Sequence, residues 1–155
     1  MGIIDDLRAK LFPQLSQDAE KTSDPEDDYN CIAWAAGDTE IRWWPVDRPT
    51  MGVYWPLNPP EDTVEGFVAA FKTLGYERCE DGLLEDGFEK VALYIDAKGE
   101  PTHMARQLAS GHWTSKIGVL DDIRHPTLDE LCGDLYGTVE CFMKRPIVNA
   151  PDAAE

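Results

Sequence analysis

The order of the hydrophobic periodicities is the feature that most constrains the fold of this chain. Helical spacing comes first, in residues 3–12, 30–37 and 62–74, and an alternation of apolar and polar residues follows from Phe88 to Arg145. Spacing of three and four places apolar side chains on one face of a helix, whereas a period of two is typical of a half-buried strand. Helices followed by hairpin-connected strands predict an α+β domain, with N-terminal helices packed on a central antiparallel sheet.

Local signals predict where several elements begin and end. Asn30 is a good N-cap for the second helix, and Gly37 is a good residue to end it. In the third helix, Asp62 and Glu65 resemble a capping box. The remaining elements are predicted to be strands at 88–95, 103–108, 113–119 and 138–145, and a helix at 127–135.

The length of 155 residues is that of one ordinary domain. We divide it into an N-terminal helix with an acidic connector (1–28), a core (29–147) and a tail (148–155). The connector from Ser16 to Asp28 is predicted to be a loop or an ordered segment that wraps over the surface. Residues 41–60 combine tryptophans and tyrosines with proline breaks, and these aromatics are expected to be core or a covering flap rather than a ligand platform.

Charge and composition exclude several classes of function. Thirty acidic residues against 14 basic ones give a net charge of −16, so nucleic acid and anionic membranes are not expected partners. A protein partner with a basic surface would suit such a chain. No metal site and no cofactor is expected, because the cysteines and histidines lack ligand spacing and no glycine-rich phosphate loop is present.

The expected compartment is the cytoplasm. Residues 1–6 lack the basic and apolar regions of a signal peptide, and no stretch has the roughly 18 apolar residues of a membrane span. The four cysteines form no disulfide-like pattern, which favours a reducing compartment.

Cys31 is the strongest candidate for a reactive residue. It follows Tyr29 and Asn30 at the predicted start of the second helix. The partial positive charge of a helix N-terminus stabilises a thiolate and lowers the pKa of a cysteine. A free cysteine is by default a buried structural residue, so partners elsewhere in the chain must decide its role.

His103 and Ser115 are the candidate partners of Cys31. His103 opens a predicted strand and can serve as a general base, and Ser115 lies twelve residues further on, where it can orient the imidazole. Asp122 and His125 are competing orienters, and a carboxylate would hold the imidazole more strongly than a hydroxyl.

This arrangement resembles the papain-like cysteine amidases and peptidases of the NlpC type. The matching order is a cysteine at a helix start, a strand at Val91 to Tyr94, a histidine opening the next strand, and a polar residue about twelve positions later. The strings Tyr29-Asn30-Cys31 and Thr114-Ser115-Lys116-Ile117-Gly118 also resemble a group of uncharacterised bacterial amidase-like domains.

The resemblance implies a papain-like fold and a cysteine hydrolase acting on a peptide or other amide bond. Cys31 would attack the carbonyl, His103 would move the proton, and the backbone N–H of Cys31 would stabilise the oxyanion. On this hypothesis Cys31 would react with iodoacetamide faster than the other cysteines. The acidic residues Glu26, Asp27 and Asp28, if close, would oppose the thiolate. The alternative is a non-enzymatic acidic binding protein, such as an inhibitor or immunity protein. A Cys31 buried under other side chains, together with an exposed aromatic patch, would favour this alternative.

Overall fold

The computed structural model describes residues 3–23, 28–45, 53–57, 60–117 and 121–147. Glu26, Asp27 and the predicted tail lie outside the described residues. The three α-helices in the described part are α1 (Ile3–Lys10), α2 (Cys31–Ala36) and α3 (Val64–Lys72). The strands there are β1 (Glu20–Ser23), β2 (Arg42–Trp43), β3 (Val53–Tyr54), β4 (Glu77–Cys79), β5 (Phe88–Ile95), β6 (Pro101–Gln107), β7 (Trp113–Lys116), β8 (Asp122–His125) and β9 (Thr138–Pro146).

Seven of these strands form one sheet, in the order β1-β8-β7-β6-β5-β9-β4. Every neighbouring pair in it is antiparallel. The short strands β2 and β3 form a separate parallel pair. Helices that pack on a mostly antiparallel sheet make this an α+β fold, which confirms the class predicted from the sequence.

Helix α2 has the ends that its sequence predicts. The Asn30 side chain accepts a hydrogen bond from the Ala33 N–H, and Gly37 takes the left-handed conformation at φ 88°. Helix α3, in contrast, is capped by Thr63 rather than Asp62, because the Thr63 hydroxyl accepts from the Gly66 N–H at 3.0 Å. The predicted Asp62–Glu65 capping box is therefore wrong.

The two faces of the sheet bury separate hydrophobic cores. The first lies under α2 and α3 and contains Ile32, Phe67, Phe71, Leu93 and Met104 among others; we call it the α2–α3 core. The second lies under α1 and the segment that follows it. It contains Leu7, Phe12, Tyr94, Ala105 and Tyr136 among others; we call it the α1 core. Both faces of the central strands are consequently buried.

A bulge in β9 changes which face its side chains reach. Leu93 pairs with Cys141, but the next residue, Tyr94, pairs with Val139, so Glu140 is the extra residue. Cys141 packs against the α2–α3 core and Val139 against the α1 core. The simple alternation predicted for 138–145, which put both on one face, fails at this bulge.

Other departures from the predicted elements are short. Residues 20–23 of the connector form β1, which pairs with β8. The predicted helix at 127–135 is reduced to a single 3-10 turn, Asp129–Leu131, because the chain then bridges back on itself between Gly133 and Gly137. The Thr127 N–H donates to the Glu130 carboxylate at 2.8 Å.

The described tryptophans of the segment 41–60 belong to the α2–α3 core, whereas Tyr54 is 43% exposed. Trp43 is buried, and the rings of Trp44 and Trp55 pack on Phe67 at 5.6 and 4.9 Å. Residues 46–52 and 58–59 of this segment lie outside the described part. Among the described helices, none has the length and apolar character needed to cross a bilayer.

Candidate functional site

Cys31 opens α2 and lies inside the α2–α3 core. The residue is only 7% exposed. Burial raises the pKa of its thiol to about 11, although backbone groups at Met104, Ile32 and Cys31 itself and the charge of Lys116 act in the opposite direction. Desolvation thus raises the pKa of the thiol by more than the helix N-terminus lowers it, and the thiol is protonated at neutral pH.

His103 does not face Cys31. In the register of β5 and β6, His103 pairs with Tyr94, whereas Met104 pairs with Leu93. Successive side chains of a strand point to opposite faces. Met104 belongs to the α2–α3 core together with Cys31, while the His103 ring stacks on Tyr136 of the α1 core, with centroids 4.1 Å apart and planes 6° apart.

The packing of α2 agrees with this assignment of faces. The Trp34 indole donates to the Thr114 hydroxyl at 3.1 Å, and the Arg106 guanidinium lies 4.4 Å from the centre of the same ring. Arg106 and Thr114 are paired residues that share the face of Met104. The sheet therefore separates the sulfur of Cys31 from the imidazole of His103, and the predicted nucleophile–base contact is not formed.

The structure does bring His103, Ser115 and His125 together. His103 Nε2 lies 2.9 Å from Ser115 Oγ, and Ser115 Oγ lies 2.8 Å from His125 Nε2. His125 Nδ1 lies 2.8 Å from the Thr127 carbonyl oxygen. All three side chains are on the α1-core face, and their residues have no exposed surface. We call this the His–Ser–His chain.

Hydrogen-bond chemistry determines where the protons of the His–Ser–His chain sit. A carbonyl oxygen only accepts, so His125 Nδ1 carries a proton and, in the neutral ring, Nε2 accepts from the Ser115 hydroxyl. The hydroxyl oxygen then accepts from His103 Nε2–H. His103 Nδ1 is left as a bare acceptor, buried and without a hydrogen-bond partner among the described residues. Burial lowers the pKa of both histidines, which keeps them neutral.

The His–Ser–His chain is a buried hydrogen-bond network. Ser115 is the neighbour of His103, as the sequence suggested, and His125 is its second partner. The Ser115 hydroxyl and the rings of His103 and His125 have no exposed surface. The hydrogen bonds of the His–Ser–His chain pair the Ser115 hydroxyl, both ring nitrogens of His125 and Nε2 of His103 in an apolar core, where unpaired groups would be costly.

Asp122, the other proposed orienter, lies on the opposite face. Its carboxylate accepts a hydrogen bond from the Tyr29 hydroxyl at 2.9 Å and lies 3.7 Å from the Lys116 ammonium. Lys116 is itself fully buried and stands 4.8 Å from the centre of the Tyr29 ring. Tyr29, Lys116 and Asp122 thus form a second network on the face of Cys31, and its Lys116 ammonium is the positive charge that acts on the thiol.

A groove lies at the start of β5. It has a volume of about 430 Å³ and lies between residues 84–89 and residues 106–109, with Ile147 at its end. Leu84 and Ile147 in its wall are 54% and 50% exposed, and the adjacent Leu83 is 71% exposed. We call this the leucine groove.

The leucine groove was not predicted from the sequence, although a signal exists. Leu83 and Leu84 stand side by side between Asp81-Gly82 and Glu85-Asp86-Gly87, in a segment with the composition of a loop. A pair of leucines in a loop is hard to bury, and exposed apolar clusters mark interaction surfaces. In the described residues, no group of three or more histidine, cysteine or acidic side chains is arranged to hold a metal ion.

Comparison with known proteins overturns the resemblance to papain-like enzymes. A family model described as Domain of unknown function (DUF7689) matches residues 20–144, and no papain-like or NlpC-type family does. No curated protein and no solved structure matches the chain. The motifs around Cys31 and His103 are too short to establish common descent, and their side chains lie on opposite faces of the sheet. The chain belongs to the DUF7689 family of domains of unknown function.

Proposed function

We propose that this chain is a non-enzymatic binding protein whose leucine groove holds an apolar segment of a basic partner protein. The observation that supports this proposal is that exposed apolar side chains cluster at the groove. Of the five large hydrophobic residues exposed in the described part, Leu84 and Ile147 line the groove and Leu83 adjoins it. Water-exposed leucine and isoleucine are unfavourable in a free protein and gain stability when a partner covers them.

Charge supports a basic partner. With a net charge of −16, the chain attracts cationic surfaces and repels acidic ones. At the groove itself, Glu85 and Glu89 are already bonded to Lys144 and Arg145, each at 2.8 Å. Asp86 between them is exposed and has no ion-pair partner among the described residues. Electrostatics would therefore act chiefly on the rate of association, and the apolar contacts on its strength.

Selection from an unbiased phage-displayed peptide library would test the proposal. The expected result is enrichment of peptides that combine apolar residues with lysine or arginine. Leu84→Asp should weaken binding of the selected peptides by about tenfold or more, since a charge would replace a central contact. Leu135→Asp is the matched control, because Leu135 is 45% exposed but lies away from the groove. Equal effects of the two substitutions would contradict the proposal.

Cysteine hydrolysis is the second candidate, favoured by the position of Cys31 at a capped helix start. It would require the His103 side chain to reach the other face of the sheet, or Lys116 to replace it as the base. Turnover of peptide or cell-wall amides by the wild-type protein, abolished in Cys31→Ala, would establish this activity. Turnover that survives Cys31→Ala would exclude Cys31 as the nucleophile.

A further inference from the structure

We infer that Arg106, in the lining of the leucine groove, binds the C-terminal carboxylate of the partner's apolar segment. The inference rests on the proposed function and specifies which end of the partner chain the groove holds. It starts from the half-buried position of Arg106 near the end of β6 and from the bonds that its guanidinium does not make.

Arg106 lacks a carboxylate partner although the chain is strongly acidic. Its guanidinium makes no hydrogen bond and no ion pair with the described residues. Glu89, which also lines the groove, is bonded to Arg145 at 2.8 Å instead. Four other arginines each pair with a carboxylate at 2.6 to 3.0 Å, namely Arg8, Arg78, Arg124 and Arg145. A half-buried charge without a counter-ion is costly, so an anion from outside the chain would be stabilised there.

The contact of Arg106 with Trp34 leaves its hydrogen-bond donors available. The guanidinium lies over the indole, 4.4 Å from the centre of the ring. The five N–H donors of a guanidinium lie in its own plane, so a contact over an aromatic face does not consume them. A carboxylate can accept from two of these donors at once, which is the geometry of the strong arginine–carboxylate pairs. Burial lowers the pKa of Arg106 from its usual value, and a bound anion would offset this electrostatic cost.

The size and charge of the groove favour a chain end as the source of the carboxylate. Its volume of about 430 Å³ is near the lower end of the roughly 300–1,000 Å³ of ligand pockets, so it holds only a few residues. The net charge of −16 repels phosphate groups and acidic segments. A C-terminus brings a single carboxylate without any acidic side chain, and is compatible with a basic partner. The last apolar side chains would contact Leu84 and Leu108, and a lysine or arginine before them would lie near the exposed Asp86.

Two peptide libraries test the inference, one displayed with free C-termini and the other with blocked C-termini. We expect strong enrichment from the first library only. Selected peptides are then synthesised with a C-terminal acid or a C-terminal amide. Amidation should weaken binding by about tenfold or more, because it removes the charge-assisted hydrogen bonds to the guanidinium.

The variant Arg106→Gln should bind the acid and the amide equally. Arg78→Gln is the matched control, because Arg78 is exposed and is not part of the groove lining, and there the acid should keep its advantage. Acid and amide are compared within one variant, so a general loss of stability does not produce the expected result. If Arg106→Gln does not fold, the Nε–H resonance of Arg106 in the wild-type protein supplies a second measurement. It should shift with the acid and not with the amide.

The possible failures are distinguishable. Equal binding of acid and amide to the wild-type protein, with Leu84→Asp still weakening both, would overturn the carboxylate contact and leave the proposed function standing. Absence of selected peptides from both libraries would overturn both. An unchanged acid-to-amide ratio in Arg106→Gln, or an Arg106 resonance that does not shift, would show that another group holds the carboxylate. Dependence on an acidic side chain of the peptide instead of its terminus would overturn the inferred chain end, and a concentration-dependent dimer that Arg106→Gln disrupts would replace the partner by a second copy.

Discussion

Replacement of Ser115 by alanine is the most direct test of the His–Ser–His chain. The Ser115 hydroxyl accepts from His103 and donates to His125, at 2.9 and 2.8 Å. Alanine removes both bonds and leaves a buried N–H and a buried ring nitrogen without partners. Each such group costs about 1–3 kcal/mol, so we expect the free energy of unfolding to fall by about 2–6 kcal/mol.

The loss is measurable by urea and thermal denaturation followed by circular dichroism. For a chain of this size each kcal/mol corresponds to about 2–4 °C, so the midpoint of thermal unfolding should drop by roughly 4–24 °C. Ser110→Ala is the matched control, because Ser110 is exposed in the turn between β6 and β7 and only receives a 3.3 Å bond from the His112 N–H. Its effect should stay within about 0.5 kcal/mol.

The reasoning would be refuted by equal stabilities of the two serine variants. That result would mean that the two rings do not depend on the hydroxyl, and that the proton arrangement derived from the Thr127 carbonyl is incorrect. A Ser115→Ala protein that does not fold agrees with the predicted direction, and a urea titration of the His103→Gln variant then supplies a second measurement of the same network.

Three further predictions concern pH, thiol reactivity and a glycine. Because burial lowers the pKa of His103 well below 6.5, the unfolded state binds a proton that the folded state does not, so stability should fall as pH drops from 7.5 to 5.5. His103→Gln should reduce the slope of stability against pH by up to about 1.4 kcal/mol per pH unit. An unchanged slope would contradict the assignment of this pH dependence to His103. Cys31, the most buried cysteine with a thiol pKa of about 11, should react with iodoacetamide more slowly than the other three in native protein, and mass spectrometry of the labelled peptides would show it; fastest labelling at Cys31 would instead agree with the hydrolase hypothesis. Gly137→Ala should destabilise far more than Gly99→Ala in urea titrations, since both glycines have φ near 80° but only at Gly137 would the new methyl collide with the Ile95 carbonyl; similar losses would mean that the turn adjusts.

Local sequence signals predicted much of the secondary structure. The strand over Phe88–Ile95 and the ends of α2 at Asn30 and Gly37 were readable, because they depend on residues within one or two turns of the chain. The strands β4 and β8 were missed. Each is only three or four residues long and pairs with a strand remote in sequence, β4 with β9 and β8 with β1, which no local window contains.

The candidate site shows the same division. Ser115 was singled out as a neighbour of His103 by its distance along the chain, and the two do lie 2.9 Å apart. The resemblance to papain-like enzymes placed Cys31 beside them, and there the prediction was wrong about the contact. The leucine groove was overlooked because its shape depends on where β6 leaves β5.

The sequence alone determined the α+β class, the strong negative charge and the capped helix that starts at Cys31. It also determined that the side chains of His103 and Met104, neighbours in one strand, point to opposite faces of the sheet. Which of those two faces α2 was decided only by the tertiary structure. The physical reason is that helices or loops cover both faces of the central strands, so both alternating sets of side chains are buried and hydrophobicity does not distinguish them. Because α2 packs on one face of the sheet and α1 on the other, Met104 faces α2 and His103 faces α1. The same packing separates the Cys31 thiol from the His103 imidazole.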